Sequence, residues 1–191
     1  MKNKTYDRLL FIDTETGGID PQKHSLLSIG CVVWDRKEGI LAKKEYFVRH
    51  KNYITTKESQ KINGFNQNDH ESKAIDGSSI IVDLLDFCSN YFEVNTLIPL
   101  AGHNTQFDVG FLKMFLIDNG RSFNSIFSHR IIDTYSIIKF LEYSNIIREN
   151  VSSSAQAFNY FGIKVENRHS ALDDALATVQ LFENALSSLE K

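Results

Sequence analysis

The sequence holds only two cysteines, two prolines and one tryptophan in 191 residues. Cys31 and Cys88 sit in apolar settings, IGCVVW and LLDFCSN, without the CxxC spacing of a zinc site. They read as reduced core thiols, which excludes a small cystine-stapled secreted scaffold and points to the cytoplasm. Long apolar runs are missing too. The first of them, Leu9-Leu10-Phe11-Ile12, stops after four residues at Asp13, too short for a signal-peptide core or a membrane span. Formal net charge is only −3, so duplex nucleic acid cannot be gripped through bulk positive charge, and any polyanionic partner must be held locally. No internal repeat, linker or low-complexity tract breaks the chain.

With 42% hydrophobic and 24% charged residues the composition is that of a compact domain, and residues 1–191 are expected to form one. A chain of this length buries roughly 70% of the surface its unfolded form exposes, so neither disulfide nor structural metal is needed for folding. Leu9 to Ile12 has the continuous apolar character of a central strand buried on both faces. Two β-rich segments, 26–35 and 41–50, flank Lys37-Glu38-Gly39 and predict an antiparallel hairpin. The polar stretch 55–72 reads as a loop with a short helix.

Helical spacing from Ser78 to Phe92 leads into an extended segment at 97–102, and a further helix is expected from Thr105 to the cap glycine Gly120. A short strand at 129–134, helical patterns at 135–143 and 154–161, and a last helix from Ser170 to Leu189 complete the order β-β-β-α-β-α-β-α-α-α. The expectation is an α/β fold with a mixed five-stranded sheet flanked by helices.

Several carboxylates stand where such a sheet places its chemistry. Asp13 and Glu15 are two residues apart at the end of the first strand, on one face if the strand stays extended. The glycines after them would let a ligand approach the backbone. Asp108 lies in the first turn of a helix after the strand-end loop Gly102-His103-Asn104. It also completes a capping-box pattern with Thr105, so a cap and a site residue are both open readings.

In His169-Ser170-Ala171-Leu172-Asp173-Asp174 the two adjacent acids compete for one role. Against the apolar stripe Leu172, Ala175, Leu176, Val179, Phe182 and Leu186, Asp174 falls ~110° from the centre and Asp173 ~150°. Asp174 borders the buried side, and Asp173 has a sufficient explanation as a cap partner of Ser170. His169 supplies an imidazole, a group that accepts a proton near neutrality as ionised carboxylates do not. Four converging acids repel one another unless divalent ions with hard oxygen ligands intervene, which implies Mg²⁺ or Mn²⁺. Two such ions ~4 Å apart clamp the attacking and leaving oxygens of a phosphodiester.

FIDTETGG, GHNTQFDVGFL and HSALDDA together resemble the three motifs of the DEDDh group of 3′→5′ exonucleases, within the ribonuclease H-like fold. KINGF resembles the segment between the first two motifs, and IIDT a strand common between the second and third, so the likeness spans nearly the whole chain. The family includes proofreading subunits and domains of bacterial replicative DNA polymerase III and, as RNA-directed cousins, ribonuclease T and oligoribonuclease. The resemblance implies Asp13, Glu15, Asp108 and Asp174 as ligands of two Mg²⁺ ions and His169 as general base. It implies a pocket for the terminal nucleotide around Thr16, Gly17, His103, Asn104 and Phe107.

The expected activity is release of nucleoside 5′-monophosphates from single-stranded 3′ ends, DNA in the first reading and RNA in the alternative. A DNA polymerase acting in trans is the protein partner so implied, and a non-catalytic binding module on the same fold is the reading from another class. Lys57, Lys61, Phe65 and Arg168 are candidates for contacts along a single strand.

Overall fold

A computed structural model describes residues 7–165 and 169–189. Five strands form one sheet in the order β3-β2-β1-β4-β5. The strands are β1 (Arg8–Thr16), β2 (Leu26–Asp35), β3 (Gly39–Phe47), β4 (Leu100–Gly102) and β5 (Ile132–Asp133). β1, β2 and β3 pair antiparallel, whereas β4 and β5 join β1 in parallel. The hairpin turns at Gly39, which has a φ of 74°. Asp35 Oδ1 accepts the backbone N–H groups of Lys37 and Glu38 there, which supports the tight reversal.

Alternation along β1 divides the core. Leu10 and Ile12 pack on one face with α3 (Gly77–Ser89) and α4 (Gln106–Asp118), in the cluster that also holds both cysteines. Leu9 and Phe11 point to the other face, against Val179 and Phe182 of α7 (Ala171–Ser187). α5 (Thr134–Tyr143) and α6 (Ser154–Tyr160) pack behind α7 around Leu141, Phe158 and Leu181. Cys31 and Cys88 are both buried free thiols, as their apolar settings require.

Several boundaries differ from the sequence reading, three of them near the candidate residues. β1 runs four residues beyond Ile12, because pairing with β2 continues through Asp13 and Glu15; the ladder hydrogen bonds outweigh the low strand preference of acids. Region 55–72 forms two helices, α1 (Lys57–Asn63) and α2 (Gln67–Glu71), started by Thr56 and Asn66 as N-caps. The segment at 129–134 shrinks to the two residues of β5. None of the described helices is long and apolar enough to cross a membrane.

Candidate active site

The extension of β1 fixes the first pair of acids. Asp13 lies opposite Gly30 and Glu15 opposite Ser28, so both carboxylates continue the α7 face of the sheet. Gly30 explains how α7 comes so close. A Cβ there would stand 2.2 Å from the Ala171 carbonyl oxygen and 2.5 Å from the Leu172 nitrogen. Only glycine lets the first turn of α7 touch the sheet backbone beside Asp13.

Ser170 caps α7, its hydroxyl accepting the Asp173 N–H. Asp174 is buried and Asp173 is half-buried, the order expected from their angles to the apolar stripe. His169 precedes the cap at a φ of 70°, and its backbone N–H donates to Asp174 Oδ2 at 3.3 Å. One donor atom from each of Glu15, His169 and Asp174 lies within 4.8 Å of the others. The two carboxylate oxygens at that separation are hard donors suited to a divalent cation, and the imidazole nitrogen stands beside them.

Asp108 comes from elsewhere. It is 4% exposed, and its Oδ1 accepts a 2.7 Å hydrogen bond from Thr14 Oγ1. Thr14 points to the α4 side of β1, so Asp108 approaches from the face opposite Glu15. Burial pushes its carboxyl up to about 7, with the Thr14 hydrogen bond acting the other way. The capping-box reading fails: Thr105 has helical backbone angles and makes no side-chain cap. Thr14 takes the carboxylate in its place.

The pocket candidates divide between two places. Thr16 is buried, donating to the Gly18 carbonyl at 2.8 Å, and its own carbonyl accepts Asn63 Nδ2 at 3.0 Å. Gly17 presents no open face: a Cβ would meet the Ile54 carbonyl oxygen at 2.1 Å. That crossing of two backbones by itself requires glycine. His103 and Asn104 border a separate cavity of about 490 Å³ with Tyr135 and Ser152–Ser154. His103 Nδ1 lies 2.9 Å from Thr134 Oγ1, whose proton goes to the Gly102 carbonyl, so Nδ1 is the donor of that bond. Phe107 is half-buried against Phe111, ring centroids 5.2 Å apart.

A cleft of about 330 Å³ opens on Glu15 and His169 and is bordered by Glu45, Asn63, Phe65 and Lys73. Phe65 packs against Tyr53 and His70, both at 5.3 Å, and Lys73 Nζ stands 5.1 Å from the Phe47 ring. Lys57 and Lys61 are exposed on α1, and Arg168 lies outside the described residues. Glu45 and Lys73 were missed in the sequence. Glu45 was visible only as a charge inside the strand segment KKEYF, opposite Gly30 once the register is known. Another cavity, of about 850 Å³, lies at the other end of β1 around Arg8, Asp35, Tyr91 and Arg130, away from every candidate acid.

The chain is 27% identical over 186 residues to a PolC-type DNA polymerase III of Clostridium perfringens, covering 97% of this chain and 12% of that protein. It is 28% identical over 178 residues to the DNA polymerase III subunit epsilon of Treponema pallidum, covering 92% and 74%. An oligoribonuclease of Aeromonas hydrophila is 23% identical over 188 residues, covering 92% and 93%.

Among solved structures, E. coli exonuclease I in complex with a dA16 oligonucleotide superposes with a TM-score of 0.79 at 14% identity. The match covers 96% of this chain and 42% of that one, and it shows the shared fold. The chain thus spans about an eighth of the PolC-type relative and under half of exonuclease I. The exonuclease model of the RNase T family matches residues 10–182, from Leu10 of β1 to Phe182 of α7, and the chain belongs to that family.

Proposed function

We infer that this chain is a metal-dependent 3′→5′ exonuclease that hydrolyses the terminal phosphodiester of a single-stranded end and releases a nucleoside 5′-monophosphate. The observation that carries the reading is the convergence of Glu15, His169 and Asp174, from two separate elements, to within 4.8 Å at the carboxyl end of β1. Asp13, on the same face of the strand, and Asp108, from α4, complete the proposed acid set with them. Mg²⁺, with Mn²⁺ as a substitute, is the proposed cation. Divalent ions in such a site neutralise phosphate charge and make water a stronger acid.

The chain's own residues then have distinct tasks. Glu15 and Asp174 hold hard-oxygen donors in fixed positions, one on a paired strand and the other tied to the His169 N–H. The His169 imidazole accepts the proton of the attacking water, a role the carboxylates cannot share while they are engaged by cations. Asp108 starts in a buried setting, held by Thr14. Phe65 offers a ring face and Lys73 a cation at the cleft edge, which suits a strand held by stacking and phosphate contact without sequence readout.

The epsilon and PolC-type relatives support DNA ends, the epsilon subunit supports a polymerase working alongside in trans, and the oligoribonuclease relative supports short RNA. One experiment separates them. Purified protein is given 5′-labelled single-stranded DNA, single-stranded RNA, a mismatched duplex and a dinucleotide, each with Mg²⁺ or EDTA. A ladder shortened from the 3′ end with Mg²⁺ and intact with EDTA is expected. Intact substrates in every arm, with Mn²⁺ as well, would leave a non-catalytic binding module as the function.

A further inference from the structure

We propose that Glu45 is a positioning residue for the site: its carboxylate clamps the start of α7 and thereby fixes His169 and Asp174 relative to Glu15. The proposal rests on the reading of His169 and Asp174 given above. Glu45 sits on β3 opposite Gly30, which is itself opposite Asp13. Directly paired residues share a face, so the three positions form one row across the sheet on the α7 side. In the middle of that row Gly30 leaves room for the backbone of Ala171 and Leu172. At its β3 end Glu45 Oε1 accepts the Ser170 hydroxyl at 3.5 Å and the Leu172 N–H at 3.4 Å.

Those two donors lie between the proposed base and the proposed acid ligand. The Leu172 N–H is one of the orphan donors of a helix start, and Ser170 is the cap itself. The carboxylate therefore completes the capping of α7 from another strand and acts as a negative charge at the positive end of the helix. Glu45 is half-buried, and burial is the main cause of its raised pKa. A carboxylate kept in such a place needs a compensating role, and the groups it meets are the two donors of the α7 start, with Asp173 opposing and Lys73 supporting its charge.

The left-handed backbone at His169 makes the clamp matter. A non-glycine residue at φ 70° persists only where its neighbours hold it. The Asp174 carboxylate holds it on one side, through the His169 N–H, and Glu45 holds the following residues on the other.

Glu45→Ala, Glu45→Gln and Glu45→Asp are compared with wild type in two measurements. The first is amide hydrogen exchange of metal-free protein, which needs no activity. Exchange at Leu172 and its neighbours in the first turn should rise roughly tenfold in Glu45→Ala, as for loss of one charge-assisted hydrogen bond. The second half of α7 should keep its protection, and Glu45→Gln, which retains an acceptor, should restore most of the wild-type pattern.

The second measurement is steady-state shortening of a labelled oligonucleotide, in which kcat should fall about tenfold or more in Glu45→Ala with KM within about twofold. Unchanged exchange at Leu172 in Glu45→Ala overturns the proposal, as does a KM effect without a kcat effect. An inactive wild type removes the exonuclease reading while the exchange result still decides whether Glu45 clamps the helix. Should Glu45→Ala fail to fold, Glu45→Asp, whose shorter side chain draws the carboxylate back from the Leu172 N–H, must show the same local loss of protection.

Discussion

Thr14 Oγ1 donates a 2.7 Å hydrogen bond to Oδ1 of Asp108, joining β1 to the first turn of α4 across 94 residues of sequence. The bond lies on the far side of β1 from Glu15, so one strand holds acids on both faces: its own on the α7 side, and one borrowed from α4 on the other.

Asp108→Asn tests that arrangement through pH. Burial raises the carboxyl from 3.8 to about 7. A folded-state pKa above the unfolded one means that the folded protein is penalised when the group ionises. The penalty is absent below pH 3.8, grows as pH rises toward 7 and is complete above it. Asparagine never ionises and still offers Thr14 an acceptor. In EDTA, Asp108→Asn should therefore melt several degrees above wild type at pH 8, with the gap closing toward pH 4, while Mg²⁺-dependent shortening is lost. Parallel melting curves at all pH values would show that Asp108 is not a buried ionisable group.

Gly30→Ala should damage the site without touching a single acid. The added methyl meets three backbone atoms of α7 at 2.2–2.5 Å, and backbone cannot move aside as a side chain can. α7 must lift at its first turn, which costs about 1–3 kcal/mol in stability. The same shift carries Asp174 away from Glu15, so activity should fall more than tenfold in a protein that still folds. Circular dichroism melts beside the oligonucleotide assay check both halves, and full activity would show that α7 has slack over β2.

How much of this was legible in the sequence depends on whether a local pattern or a tertiary pairing set the feature. The choice of Asp174 over Asp173 followed from helical angles alone, because Val179 and Phe182 fix which side of α7 meets the sheet. The hairpin followed from its polar turn, and the mixed five-stranded sheet from the alternating elements. Asp108 was not legible in the same way. Its capping-box pattern with Thr105 was locally sufficient, yet a partner 94 residues away took the carboxylate.

At Gly17, too, nothing local announces that Ile54 crosses it. Glu45 became visible only when the register placed it in line with Gly30 and Asp13.

Asp173→Asn and Asp174→Asn form a matched pair, one residue apart with the same chemical change. Asp174 shares the donor cluster with Glu15 and His169, whereas Asp173 contributes its backbone N–H to the Ser170 cap. Titration with Mn²⁺ followed by calorimetry should show weakened binding for Asp174→Asn and near wild-type binding for Asp173→Asn. Equal loss in both would mean that net negative charge, not the placement of one carboxylate, attracts the cation.

His169 offers a test in which stability and activity move in opposite directions. At φ 70° any residue with a Cβ is strained, so His169→Gly should be about 1 kcal/mol more stable than His169→Ala. Both variants lack the imidazole and should lose hydrolysis together, because Glu15 and Asp174 remain and only the proton acceptor has gone. The glycine variant leaves both the backbone and the space for a small base, so added imidazole should restore part of its rate. The same addition should do nothing for Asp174→Asn, whose defect is in the acid set. Rescue absent from His169→Gly, in protein that still binds Mn²⁺ like wild type, would assign His169 to holding the loop rather than to taking the proton.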